Sequence, residues 1–140
     1  MATMYVEIVS TEQHIYSGEA EFLVAPAAEG EIGVYPRHVP LLTRIKPGVV
    51  RLTVPGEKDP VLVAISGGMM EVQPAQITIL ADTAIRAEEL DLARAQESKR
   101  AAEAALAHAT DDLETANAHV ALATAIAELK TLEYLRRRVH

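Results

Sequence analysis

The sequence predicts an α+β protein, with an N-terminal antiparallel β-sandwich or flattened barrel followed by a C-terminal antiparallel two-helix hairpin. Two observations carry that reading. Up to Asp82, apolar residues recur at every second position and Gly or Pro interrupts the chain every few residues; beyond Ala95 there is neither Gly nor Pro as far as His140. The hydrophobic period therefore changes from about 2 to about 3.6, which separates a strand region from a helical one. The junction, Ala81 to Ala95, places Asp91 at a helix start, where a carboxylate can accept free backbone N–H groups and meet the positive end of the helix dipole. Residues 1–86 are expected to form the β domain and 87–140 the helical one.

In order, Met4–Ser10 alternates with Val6 and Ile8 on one face, and Ser17-Gly18 reads as a turn. Glu21–Ala25 is a second strand, and a short one is expected at Ile32–Tyr35 after the loop that begins at Pro26. Pro36, Pro40, Pro47-Gly48 and Pro55-Gly56 mark turns around Leu41–Lys46 and Val49–Val54. Val61–Ser66, Met69–Val72 and Gln76–Ala81 follow, and Val61 to Ile65 is apolar on both faces, as suits a central strand. Seven to ten short strands with closely spaced turns indicate a sandwich or flattened barrel.

Helix one is expected from Asp91 to His108 and helix two from Asp112 to Arg138, joined by a link short enough to force an antiparallel pair. Asp111 with Glu114 three residues on is a capping signature. The expected inward stripes are Ala95, Ala102, Leu106 and Ala109 against Leu113, Ala116, Val120, Ala123 and Ala127, with Leu122, Ile126, Leu129 and Leu132 as a second stripe on helix two. These stripes are rich in alanine. A buried methyl contributes about 0.8 kcal/mol against about 1.5–3 for Leu or Ile, so the helices form readily but dock weakly. Such helices can stay intact while their docking changes.

The chain has 140 residues, a net charge of −7 and a pI near 5.2, which argues against a nucleic-acid partner. It has no Cys, hence no disulfide framework, thiolate nucleophile or Cys-ligated metal. No apolar run approaches the roughly 20 residues that span a bilayer, and the N-terminus lacks a basic region followed by an apolar core. The expectation is a cytosolic protein that reaches a membrane only through a partner.

The five histidines show no ligand spacing, so no metal site is expected. Ser66-Gly67-Gly68 precedes a strand rather than a helix, which makes it a tight turn and not a phosphate cradle. No nucleophile–base constellation is present, and no catalytic residue is assigned. Glu31 and His38 flank Gly33-Val34-Tyr35-Pro36, a presented loop, and could form either a binding surface or ordinary exposed polar groups. Asp91 and Arg94 read either as a cap with a surface ion pair or as part of a joint between movable domains.

In series, several motifs resemble the epsilon subunits of bacterial F-type ATP synthases. They are Glu29 to Thr43 (EGEIGVYPRHVPLLT), Ile45-Lys46-Pro47-Gly48, Ser66-Gly67-Gly68 with Glu71-Val72, Ala81-Asp82-Thr83-Ala84, and Leu90-Asp91-Leu92-Ala93-Arg94-Ala95. The match runs in order from about residue 4 to 138. The resemblance implies a non-catalytic subunit of a proton-translocating enzyme, part of the rotating central stalk. Its sandwich would bind the gamma subunit and sit on the ring of c subunits. Its hairpin would either fold on the sandwich or extend to the alpha and beta subunits and restrain ATP hydrolysis. It implies a peripheral place on the cytoplasmic face of the bacterial inner membrane, reached only through the complex. By the same resemblance, Glu31 and His38 contact the c ring, and Leu90, Asp91, Arg94 and Ala95 match a nucleotide-contact motif.

One departure bears on that last role. Helix two has no Lys or Arg from Asp111 to Leu129, and Lys130 is the first. Phosphates need cationic or N–H partners, so no cofactor is expected and ATP would be held weakly at most. Lys130, Arg136, Arg137 and Arg138 concentrate charge at the end of helix two. Cations in a last turn favour the helix dipole by about 0.3–1 kcal/mol, but three consecutive arginines spread round more than half the circumference. The resemblance makes these four residues an inhibitory contact with the catalytic head. The alternative for the whole chain is a free-standing, non-catalytic binding module, or a small hydrolase, on a sandwich scaffold.

Overall fold

The computed structural model describes residues 2–139, with side chains as far as Arg137. Ten strands lead into two helices: β1 Met4–Ser10, β2 His14–Ala20, β3 Phe22–Ala27, β4 Gly30–Val34, β5 Leu41–Ile45, β6 Gly48–Thr53, β7 Val61–Ile65, β8 Gly68–Val72, β9 Gln76–Ala81 and β10 Ala84–Arg86. A 3₁₀ turn, Ala87–Glu89, precedes α1 Leu92–His108 and α2 Asp112–Val139. The strands run β10-β7-β6-β3-β5-β8-β9-β1-β2, with β4 beside β3. The path bends where Ala27 of β3 meets Ile45 of β5, a single pair, and folds the ribbon into two layers. Its two ends approach each other, and Arg86 of β10 lies 5.8 Å from the centre of the Tyr16 ring of β2. The fold is the expected sandwich or flattened barrel, almost closed.

Period 2 explains the core. Met4, Val6 and Ile8 of β1, Leu23 and Ala25 of β3, Val50 and Leu52 of β6, Val63 and Ile65 of β7, Met70 and Val72 of β8, and Ile77 and Ile79 of β9 point inward and are buried. Every member of that core lies between Met4 and Ala84. The opposite face of β7 is apolar for a different reason. Leu62, with Val49 and Ala87, makes a second, small cluster on which Tyr134 and Leu135 of α2 rest.

Three local expectations are corrected. Ser17-Gly18 lies inside β2 and is not a turn; Val6 of β1 stands opposite Gly18, and the bend falls before His14. β10 extends the strands past Ala81, because Thr83 turns the chain back so that Ala84 pairs with Ile65. The sheet is not wholly antiparallel, since β1 runs parallel to β9 from Tyr5/Gln76 to Ser10/Ala81. The first and ninth strands meet there without a local connection, and no turn dictates their direction.

The helix stripes are also corrected. Leu113, Val120 and Ile126 are exposed, and among the described residues those of α2 that are buried are Ala118, Ala125, Ala127 and Thr131. Helix two has two partners on two faces. Leu129 and Leu132 share a cleft with Leu92 of α1, and Ala118 and Ala125 fall on that face by helical geometry. Ala123, Ala127 and Tyr134 face Pro26, Gly48 and Val49 of the sandwich. Thr131 is fully buried because its hydroxyl donates to the Ala127 carbonyl at 2.7 Å. Helix two therefore lies on β6 and β7, with α1 outside it.

Candidate functional site

The presented loop is built by an aromatic pair. Phe22 of β3 stacks on Tyr35, centroids 4.3 Å apart and planes 26° from parallel. Gly33 makes room, since a Cβ there would sit 2.8 Å from the Phe22 ring. Arg37 adopts a positive φ of 69°, and its N–H donates to Pro74 at 2.8 Å, which ties the loop to the β8–β9 turn. His38 is half-buried. Its Nδ1 lies 2.7 Å from the Val39 carbonyl oxygen, so Nδ1 carries a proton and a neutral ring leaves Nε2 as an acceptor.

Glu31, on β4, does not pair with His38. Its Oε1 lies 3.5 Å from Nη2 of Arg51 on β6. The Arg51 guanidinium stands 5.1 Å from the centre of the Tyr134 ring of α2. Glu31, Lys46, Lys130 and Tyr134 line one cleft of about 400 Å³ between sandwich and helix two. Arg51 and Tyr134 were not among the residues singled out from the sequence. Arg51 is a lone cation in an apolar strand and Tyr134 a lone aromatic in a leucine-rich turn, but nothing in the sequence sets them opposite each other.

Leu90, Asp91, Arg94 and Ala95 come together, lining a cleft of about 160 Å³ with Glu89, Ser98 and Glu128. Asp91 is the N-cap of α1: Oδ1 accepts from the Arg94 backbone N–H at 3.1 Å. The bond is to backbone, and the Arg94 guanidinium acts elsewhere. Burial pushes the Glu128 carboxyl above its ordinary value, and the charge of Arg94 partly opposes that rise. The cleft sets three carboxylates against one guanidinium, and it is smaller than the roughly 300–1,000 Å³ of ordinary ligand pockets. That set does not fit a polyphosphate.

At the end of α2, Arg136 lines an apolar cleft with Leu92, Leu129, Leu132 and Leu135. Arg137 pairs with Glu133 at 2.7 Å and lies 5.8 Å from the Tyr134 ring. Lys130 is exposed. The side chain of Arg138 lies outside the described residues. Among the described residues no cluster of potential ligands could hold a metal, and no helix is long and apolar enough to cross a membrane.

A sandwich with its own core and a helical pair laid on one face define a two-part α+β protein. The chain matches the family model of the ATP synthase delta/epsilon chain β-sandwich domain over residues 3–87 and that of its long α-helix domain over 88–133. It belongs to the ATP synthase delta/epsilon chain family, on the bacterial epsilon side of it, as the sequence motifs imply. It is 76% identical to the ATP synthase epsilon chain of Chromobacterium violaceum over 140 residues, the whole of both chains. The corresponding chain of Laribacter hongkongensis is 69% identical, again over the whole of both. In fold it is similar to a chain of the Euglena gracilis mitochondrial ATP synthase, with a TM-score of 0.75 at 21% identity, covering 100% of this chain and 83% of that one.

Proposed function

We propose that the chain is the epsilon subunit of the central stalk of a proton-translocating bacterial ATP synthase, coupling rotation to catalysis and restraining ATP hydrolysis through its hairpin. The observation that carries this reading is the division of the core. Residues between Met4 and Ala84 complete the sandwich by themselves, while the hairpin adds only the small cluster around Val49, Leu62 and Ala87. An element attached in that way can leave without unfolding its support.

On this reading residues 1–86 are the docking domain and 87–140 the regulatory one. The outer face of β5, β8 and β9 exposes Leu42, Met69 and Leu80, with Val120 of α2 reaching only its Met69 edge, and suits the gamma subunit. Glu31 and His38 face the c ring. Lys130, Arg136, Arg137 and Arg138 reach the alpha and beta subunits once the hairpin extends. The acidic cleft at Leu90, Asp91, Arg94 and Ala95 holds ATP weakly at most, and no cofactor takes part. The protein sits peripherally on the cytoplasmic face of the inner membrane, through the complex alone.

The test is ATP hydrolysis and proton pumping by membranes whose chain ends after Arg86. Hydrolysis should rise while the truncated chain stays folded and bound to the stalk; unchanged hydrolysis would remove the regulatory role. A Glu31→Ala, His38→Ala chain should lower the ratio of pumping to hydrolysis without loss of thermal stability. An unchanged ratio would take the ring contact away from these two residues.

A further inference from the structure

Beside the apolar cluster of Val49, Leu62 and Ala87, one guanidinium of the sandwich touches the hairpin. Arg51 has a side chain about one-third exposed (30%) and touches Glu31 on one side, at 3.5 Å, and the Tyr134 ring on the other, at 5.1 Å. Arg137 reaches the same ring at 5.8 Å and is held by Glu133 at 2.7 Å. The series Glu31, Arg51, Tyr134, Arg137, Glu133 is therefore anion, cation, ring, cation, anion. Each guanidinium at the ring has its own carboxylate to fix its position. Cation–ring attraction depends on that placement, within about 6 Å of the centroid.

The charges around the link sharpen the role of Glu31. Lys46 of the sandwich and Lys130 of helix two line the same cleft, and Glu31 is the carboxylate that lines it with them. Without Glu31, Lys46 would face Lys130 across the joint with no counter-charge between them. We propose that Glu31 and Arg51 form a latch that holds helix two on the sandwich, released when a cation or N–H donor of a docking partner takes the Glu31 carboxylate. The release step rests on the reading that Glu31 faces a partner; the latch itself rests on the contacts alone. By linkage, a hairpin that leaves would free Glu31 for that partner by the same factor.

The chain carries no cysteine, so Lys58→Cys and Ala121→Cys give unique labelling sites, both at exposed positions, one on the β6–β7 loop and one on α2. Distances between spin labels in the isolated full-length protein report docked and undocked populations. Arg51→Ala and Tyr134→Leu should each raise the undocked-to-docked ratio about two- to fivefold, as expected for a partly exposed cation–ring contact. The double variant should exceed the larger single effect by little. Glu31→Gln should raise the ratio too, and add less once Arg51 is Ala, because only Lys46 and Lys130 are then left without a counter-charge. Additive effects of Arg51→Ala and Tyr134→Leu, or an unchanged ratio in Glu31→Gln, would overturn the latch. No partner is present, so these results stand apart from the membrane assay: a failed ring contact there leaves the latch intact, and a failed latch here leaves the ring contact intact.

Discussion

Gly68 is the glycine with the least room for a side chain. Its φ is +148°, and a Cβ built on it would overlap the Leu80 carbonyl oxygen of the neighbouring strand, a backbone atom that cannot swing away. Gly67, with φ +121°, precedes it, and Asp82 N–H donates to the Gly67 carbonyl at 2.8 Å. The pair therefore lets the chain enter β8 hard against β9. Gly68→Ala should destabilise the whole sandwich by about 3 kcal/mol or more, because both strain and displacement of a central ladder are involved. Chemical denaturation of the full chain measures this; a loss below 1 kcal/mol would mean that the strands can separate cheaply at that point. Phe22 teaches the same lesson in reverse. Its uniqueness is visible in the sequence, but its stacking on Tyr35 over Gly33 is not, since β3 and β4 first have to pair with Leu23 opposite Val34.

Among elements, the helices show how alanine sets both strength and weakness. α1 begins with a good cap at Asp91, and the Asp111–Glu114 pair is a true capping arrangement: Glu114 N–H donates to Asp111 Oδ1 at 2.7 Å, and Glu114 Oε2 accepts from Thr110 N–H at 3.0 Å. Both helices thus start well without help from the sandwich. Between them, Glu128 faces Arg94, Asp91 and Glu89 across the α1–α2 cleft. Burial raises its folded-state pKa above the ordinary 4.5, with Arg94 opposing. The protonated form is then favoured in the docked pair, so closure is strongest below the ordinary value and weakens as pH rises from 4.5 through the raised one. Amide exchange in α1 should therefore quicken over that range, and Glu128→Gln should flatten the dependence and protect the helices at neutral pH. Exchange in Glu128→Gln that follows the same pH course as the parent would place the titration elsewhere.

At the scale of the whole molecule, the docked hairpin and the basic end of α2 are one question. Arg137 is engaged with Glu133 and Tyr134 while the hairpin lies on the sandwich, and Arg136 covers apolar side chains beside Leu92. Glu133 and Tyr134 lie on the same helix, so Arg137 would keep both contacts if the hairpin extended as proposed, and Arg136 alone would give up an apolar neighbour on another element, Leu92. Changing Lys130, Arg136, Arg137 and Arg138 to Ala should raise ATP hydrolysis of the complete enzyme at low salt. The difference should vanish at high salt, where the Debye length falls well below its value of about 10 Å at 0.1 M. Equal activity at every salt concentration would leave these residues as helix-end charges.

The sequence by itself determined the strand region, the two helices and their caps. Each of these is a local property: a period of 2 or 3.6, a turn residue, a carboxylate three positions before an N–H. It also carried the family through motifs in series, and it brought Leu90, Asp91, Arg94 and Ala95 into one cleft, because they are neighbours on a single helix start. What the tertiary structure alone decided is which surfaces meet. Helix two buries Ala118 and Ala125 on one side and Ala127 and Thr131 on the other, and leaves Val120 and Ile126 exposed, because the faces that meet α1 and the sandwich cut across the two expected stripes. β1 runs parallel to β9, and Glu31 meets Arg51 rather than His38. Arg51 and Tyr134 come together from a strand and a helix remote in the chain, and no periodicity extends over that distance; the burial of Leu62 and Val49 beneath Tyr134 and Leu135 brings them within reach.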